Sequence, residues 1–349
     1  MLKEEGINEV LKKVKETDVT TLQRYLFGDI DKPLLVANMG CSIGVSAYCA
    51  MLYEMSVNIA EVKNCYEVQS MADNVLKQLK LLIVSSNGRN DDVVYLGKRA
   101  KDLKMPLFAN LSSKLSDKNK LSRIVSEANP EHSFCFDIAC EEDAKSFVPI
   151  YNMLAEHALI YKAFTNKSDF VDLPLPDGFN YTANDGVSAV PPLSDINHYF
   201  VLYGHFGKPI AYDLECQLVE SATASVTIST MRNYCHGRFI YTSNHLDSSV
   251  LVLLVTPRDK KVVEGIRKAL PPTTPIIIIE SEIDAPLATI DLYLKTLPFI
   301  EEASEAHKTS MKKPKNKGRI DKRHPQNNAK FISEFKKNKA LTLLPIETK

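Results

Sequence analysis

Tryptophan is absent from these 349 residues, and no apolar run approaches the roughly eighteen residues that a membrane-spanning helix needs. No membrane partner is therefore expected, and the charged opening segment, 1–16, lacks the apolar centre of a secretory signal. Also missing is any CxxC pair. The cysteines number seven, an odd count, and the nearest two, Cys135 and Cys140, have neither a second pair nor a nearby histidine to complete a metal set. A disulfide framework and a zinc module are both disfavoured, so no metal and no cofactor are expected, and a reduced, cytoplasmic compartment fits. Cys41, Cys49, Cys65 and Cys216 lie among apolar residues and read as small core groups.

Net charge is lacking too, with 43 basic against 43 acidic side chains, but the balance is uneven along the chain. Between positions 307 and 340 stand twelve Lys or Arg against Asp321 and Glu334, so the preceding body carries the compensating acidic excess. A basic tail folding back on an acidic body, its own or a sister chain's, is the simpler reading. Nucleic acid is not the expected partner, because no Tyr or Trp is interleaved with the basic residues for stacking.

What the chain does contain is a regular alternation. Apolar runs rich in Val, Ile and Leu fall at 34–37, 81–84, 106–109, 133–138, 199–203, 250–255 and 275–279. Helical patterns at 45–55, 91–104, 143–163, 210–222 and 260–269 lie between them. Continuous apolar strands separated by helices predict parallel sheets covered on both faces, the doubly wound α/β class. The order repeats: the runs before Gly40, at 81–84 and at 106–109 answer to those before Gly204, at 250–255 and at 275–279, with offsets of 164 to 169 residues. The expected division is an N-terminal helical segment 1–30, a first domain 31–165, a Pro-, Asp-, Asn- and Gly-rich linker 166–195, a second domain 196–305, and a basic tail 306–349 with a short helix near 329–336.

Two loops of the first half follow strands and open helices: Gly40-Cys41-Ser42 and Ser85-Ser86-Asn87-Gly88-Arg89-Asn90. In a parallel sheet a ligand sits beyond the carboxyl ends of the strands, where free N–H groups and the helix dipole favour an anion. Small hydroxyl residues and glycine let a phosphate approach closely, although the same residues also simply make tight turns. In the second half, Glu220 lies on a helix and His236 follows sixteen residues later, in Arg232-Asn233-Tyr234-Cys235-His236-Gly237-Arg238. A carboxylate can carry a proton between adjacent carbons of an open-chain sugar, and an imidazole suits ring opening. A solvated helix position and a capped loop histidine are the plain alternatives.

The arrangement over residues 30–305 resembles the tandem sugar-isomerase (SIS) family, specifically the isomerase part of glucosamine-6-phosphate synthase. Gly40-Cys41-Ser42 is similar to that family's Gly-Thr-Ser turn, and Ser85 to Asn90 stand where it has Ser-Gln-Ser-Gly-Glu-Thr. The stretch from Gly204 through Gln217 and Glu220 to His236-Gly237 runs in register without a gap. The resemblance implies two flavodoxin-like SIS domains in tandem and a sugar-phosphate ligand. It implies that Ser42, Ser85, Ser86, Asn87 and Asn90 hold the phosphate, and Cys41 in the same turn is counted with them. Arg232 and Arg238 are candidates to add positive charge at the ligand's anionic end, with surface salt bridging as the plain alternative. Glu220 would be the enolising base, His236 would open the ring in a neighbouring subunit's site, and Lys330 would be the C-terminal catalytic lysine. A homodimer follows.

Departures accompany these matches. The lysine three positions before the base is Gln217, the family's Lys-His-Gly-Pro is Cys235-His236-Gly237-Arg238, and a Val-Ala-Ser-Thr-Lys contact reads Glu141-Glu142-Asp143-Ala144-Lys145-Ser146. About thirty residues precede the first strand and position 2 is Leu2, so no glutaminase domain and no ammonia transfer from glutamine are expected. The expected activity is isomerisation, deamination or deglycation of a phosphorylated sugar through an enediol-type intermediate. The alternative is a catalytically silent sugar-phosphate sensor.

Overall fold

Each of the seven apolar runs contributes residues to a strand, and all but the partly buried edge strand at Ser133–Cys135 lie between layers of apolar side chains. The computed structural model describes residues 3–113, 119–136, 143, 146–312 and 314. Lys330, Cys140 and the basic residues beyond Pro314 lie outside the described residues. The first sheet contains β1 Leu34–Asn38, β2 Ala60–Asn64, β3 Lys80–Val84, β4 Phe108–Ser112 and β5 Ser133–Cys135, all parallel, in the order β2-β1-β3-β4-β5. The second contains β6 Asn180–Ala183, β7 His198–Tyr203, β8 Ser225–Thr230, β9 Ser249–Val255 and β10 Pro275–Glu280, in the order β6-β10-β9-β7-β8. Only β6 there is antiparallel.

The main helices are α1 Glu4–Glu16, α2 Thr20–Phe27, α3 Ile43–Ser56, α4 Asp91–Asp102, α5 Lys120–Ala128, α6 Ile150–Thr165, α7 Lys208–Glu220, α8 Lys260–Ala269 and α9 Leu287–Ala306. A strand points alternate side chains to opposite faces, and the cores follow that period. Leu34 and Val36 of β1, Tyr199 and Val201 of β7, and Val250, Val252 and Leu254 of β9 enter one central core shared by both sheets, together with α3, α6, α7 and α9. Leu35 and Ala37 join an outer core with α4 and α5, while Phe200, Leu202, Leu251 and Leu253 join another with α8. Burying each such aliphatic side chain is worth about 1.5–3 kcal/mol.

Three strands carry no apolar run. β2 (Ala-Glu-Val-Lys-Asn) and β8 (Ser-Val-Thr-Ile-Ser-Thr) are edge strands and only partly buried, so polar residues interrupt them. β6 corrects the expected linker: residues 166–195 supply the antiparallel edge strand of the second sheet, and Tyr181 bonds its hydroxyl to the Pro191 carbonyl at 2.7 Å. The helix expected over 143–163 is interrupted: residues 146–149 are non-helical and α6 starts at Ile150, after Pro149, whose ring disfavours helical backbone in the preceding residue. The start of the expected tail also packs on the body: the Phe147 and Val148 N–H groups donate to the Lys312 and Met311 carbonyls, both at 3.1 Å. No helix among the described residues is long and apolar enough to cross a membrane.

Candidate active site at the first switch point

The order β2-β1-β3-β4-β5 reverses direction between β1 and β3, and the crevice beyond their carboxyl ends is where such sheets bind ligands. Asn38 and Val84 are register partners at that edge. The segments that follow them, Gly40–Ser42 and the stretch from Ser85 to Asn90, therefore flank the crevice. Ser42 and Ser85 are buried, Ser86 is half-buried and Asn87 is exposed. The fold thus brings six of the residues singled out from the sequence to one edge of one sheet.

The second loop is held by its own side chains. Ser85 Oγ accepts from the Gly88 N–H at 3.1 Å and Asn87 Oδ1 accepts from the Arg89 N–H at 3.0 Å. Asn90 caps α4, accepting from the Asp92 and Val93 N–H groups at 2.9 and 3.4 Å. Gly88 is required here: its φ is +58°, and a Cβ would fall 2.0 Å from Asn119 Oδ1. Asn119 and two further residues were not picked out from the sequence. Ser112 and Ser113, at the end of β4, both donate to the Ser86 carbonyl, at 3.3 and 3.1 Å, and Asn119 donates to Ser112 Oγ at 3.1 Å. The sequence signal for the two serines is that hydroxyl residues after a strand mark the same carboxyl edge.

The carboxylate comes from the other half of the chain. Helix α7 packs along α3, and its last residue, Glu220, meets the β1–α3 turn, where the Cys41 thiol donates to Glu220 Oε2 at 2.9 Å. Burial raises the Glu220 carboxyl above the ordinary range; the Cys41 hydrogen bond pulls it back down, and the charge of Glu215 pushes it up again. Cys216, one turn before Glu220, joins the same cluster. Gln217 is fully buried and donates to Tyr293 Oη at 3.0 Å, so it faces the core.

His236, Arg232 and Arg238 do not join this site within one chain. They are exposed in the turn after β8, at the carboxyl edge of the second sheet. Glu220 precedes β8, at the opposite edge. Six-residue β8 runs between them, about 17 Å at the usual strand rise. Beside His236 the side chains of Phe239, Ile240 and Tyr241 are exposed.

Beneath the crevice lies a buried polar seam that the sequence did not announce. Glu156 and His157 on α6 face Asp213 on α7, all almost wholly buried. Burial pushes Glu156 up to about 8, against hydrogen bonds from Ser113 that lower it, and pushes His157 down to about 4. Asp213 is raised well above its usual range by burial and then by Glu156. His157 Nδ1 lies 2.8 Å from the Met153 carbonyl and Nε2 lies 3.3 Å from Asp213 Oδ2. Both directions describe a neutral pair. Nδ1–H is given to Met153, and a protonated acid beside Nε2 avoids the cost of burying two charges.

With fold and site in place, the chain can be set beside known proteins. No family model matches it, and no curated protein does. Among solved structures, the fold is that of phosphosugar isomerases and related SIS proteins. Tagatose-6-phosphate ketose/aldose isomerase from Escherichia coli is similar at a TM-score of 0.62 and 12% identity, over 86% of this chain and 91% of that one. The C-terminal domain of glucosamine-fructose-6-phosphate aminotransferase from Francisella tularensis matches at 0.62 and 12%, over 89% and 96%. Glucosamine-6-phosphate deaminase from Thermotoga maritima matches at 0.58 and 12%, over 87% and 93%. At such identity the likeness establishes the fold.

Proposed function

We propose that this protein binds a phosphorylated sugar at the β1/β3 switch point and moves a proton between adjacent sugar carbons with Glu220, as an isomerase, deaminase or deglycase. One observation carries the reading: a half-buried carboxylate with a raised pKa is delivered from the second half to the Cys41–Ser42 turn of the first. A general base works best when its pKa approaches the working pH. Ser42, Ser85, Ser86 and Asn87, with Ser112 and Ser113 behind them, offer the hydroxyl and amide groups for the phosphate end. The solved structures similar in fold are named for enzymes of phosphorylated sugars.

His236 enters this reading as a residue given to a second copy of the chain. It sits across β8 from its own Glu220, next to exposed Phe239, Ile240 and Tyr241, which a subunit contact would cover. Mixing inactive Glu220→Gln and His236→Ala chains then restores part of the activity. A monomer by light scattering at micromolar concentration overturns the dimer.

A silent sensor is the second reading, and α4 favours it. Asn90 already occupies two of the N–H groups at the helix start, and Asp91 and Asp92 place negative charge there, where a phosphate would sit. One experiment separates the two. Hexose phosphates and amino-sugar phosphates are screened by thermal shift, since a ligand of the native state raises the melting temperature. Each ligand found is then followed by NMR in deuterium oxide. Enzyme predicts exchange of the sugar's carbon-bound hydrogen; sensor predicts binding with none.

A further inference from the structure

Cys41, Cys216 and Glu220 converge from two halves of the chain, with one donor atom from each lying within 4.8 Å of the others. Cys216 and Glu220 are four residues apart on α7 and so present their side chains on one helical face, the spacing by which a helix offers two ligands to one ion. Cys41 faces them from the β1–α3 turn, 2.9 Å from Glu220 Oε2. Glu215 Oε2 lies 3.6 Å from Cys216 Sγ but outside the set of three converging donors. No lysine or arginine pairs with Glu220 among the described residues.

These groups disfavour one another's charge. The Cys41 thiol is pushed up by its hydrogen bond with Cys216, by burial and by the Glu220 charge, while Glu220 is pushed up by burial and by Glu215. A dication placed between them favours the charged form of each. We propose that Cys41, Cys216 and Glu220 form a binding site for a thiophilic divalent cation of the zinc class. Two sulfurs and one carboxylate oxygen suit a borderline-soft ion and exclude magnesium and calcium, which take oxygen. Tetrahedral zinc holds its donors about 3.3–3.8 Å apart, so side-chain rotations of about 1 Å close the set. Three protein ligands leave the fourth position to water. Binding releases the two thiol protons to solvent and leaves both sulfurs as thiolates. If Glu220 is the enolising base, the ion occupies its lone pair and switches the proton transfer off; the site itself does not depend on that role.

The test is spectroscopic. The full-length protein, reduced and stripped of metal, is titrated with cobalt(II). The expected result is a thiolate-to-cobalt charge-transfer band that saturates at one ion per chain and disappears on adding zinc. Cys41→Ser and Glu220→Gln change partly exposed side chains and should leave the circular dichroism spectrum unchanged; Cys41→Ser should lose the band and Glu220→Gln should lose one-to-one saturation. Cys216→Ser should lose the band as well, and Cys235→Ser, at an exposed thiol, should keep it. A wild type without the band overturns the site, as does a band that survives Cys41→Ser or vanishes with Cys235→Ser. A band with no sugar exchange in any metal-free sample overturns the enzymatic reading and leaves the metal site intact.

Discussion

The two sheets share the order β2-β1-β3-β4 and β8-β7-β9-β10, yet their switch points are furnished in opposite ways. At the first, between β1 and β3, hydroxyl-bearing loops flank the crevice and a carboxylate arrives from another part of the chain. At the second, between β7 and β9, the protein fills the crevice itself. Asp259 Oδ2 accepts from the Thr256 N–H at 3.0 Å and from its hydroxyl at 2.6 Å, and a Cβ on Gly204 would fall 1.9 Å from Asp259 Oδ1. Arg258 is engaged with Asp284 at 2.5 Å and lies over the Phe206 ring at 4.6 Å. One topology thus offers two equivalent crevices, and side chains furnish them differently. Function is carried by the site and not by the fold.

The largest effect expected from this contrast is on proton transfer. Glu220→Gln should lower deuterium exchange about a hundred- to ten-thousand-fold while ligand-induced stabilisation persists, as is usual on losing a positioned base. Glu54, whose charge acts on His205 at the second switch point, is the matched control, and Glu54→Gln should leave exchange unchanged. Equal losses from both substitutions would erase the distinction between the two crevices. Cys41→Ala sharpens it further. Without the thiol hydrogen bond that lowers Glu220, the acidic limb of the exchange rate should move to higher pH.

Next in size is the pH dependence of stability, which belongs to the seam under the first crevice. Glu156 ionises near 4.5 when unfolded and at about 8 in the native state, so the folded protein holds the extra proton between those values. Its contribution is full below pH 4.5 and is lost as pH rises to 8. His157, moved from 6.5 down to about 4, acts in the opposite sense, its contribution being lost as pH falls from 6.5 to 4. The two oppose each other up to about pH 6.5, and above it only the carboxyls remain. Urea midpoints should therefore fall between pH 6.5 and 8, by an amount corresponding to at most a few kcal/mol. Glu156→Gln should flatten that fall, with any remaining slope belonging to Asp213. An unchanged slope in the variant would remove Glu156 from the account.

The smallest effect is at the second switch point. Asp259→Ala removes the buried carboxylate that accepts from the Thr256 N–H and hydroxyl, and losing a buried hydrogen-bond partner costs about 1–3 kcal/mol. Chemical denaturation should register that loss, while sugar-phosphate affinity stays as in wild type. A gain of phosphate binding in this variant would mean that Asp259 alone distinguishes the two crevices.

The sequence was most legible where one local pattern sufficed. Buried strands such as β1, β3, β7 and β9 are apolar on both faces, so they stand out as runs, and the repeat in their spacing anticipates two sheets of matching order. The loops after β1 and β3 were legible because a parallel sheet sends its ligand-facing residues to the carboxyl ends of its strands. Edge strands β2, β6 and β8 escaped because one side of each meets solvent or loop, and polar residues break the pattern. Cys216, expected in the core from its apolar neighbours, is buried, but its approach to Cys41 is not visible in the sequence.

By itself the sequence determined the α/β class and the loops at the first carboxyl edge, both of them properties of short segments of chain. Only the tertiary structure decided that Glu220 meets Cys41 while His236 stands across β8 from it, that Cys216 faces the same point, and that Asp259 closes the second crevice. The reason is physical: these relations depend on how α7 packs against α3 and on which ends of the strands face each other, and contacts between residues 179 positions apart leave no periodic trace in the chain.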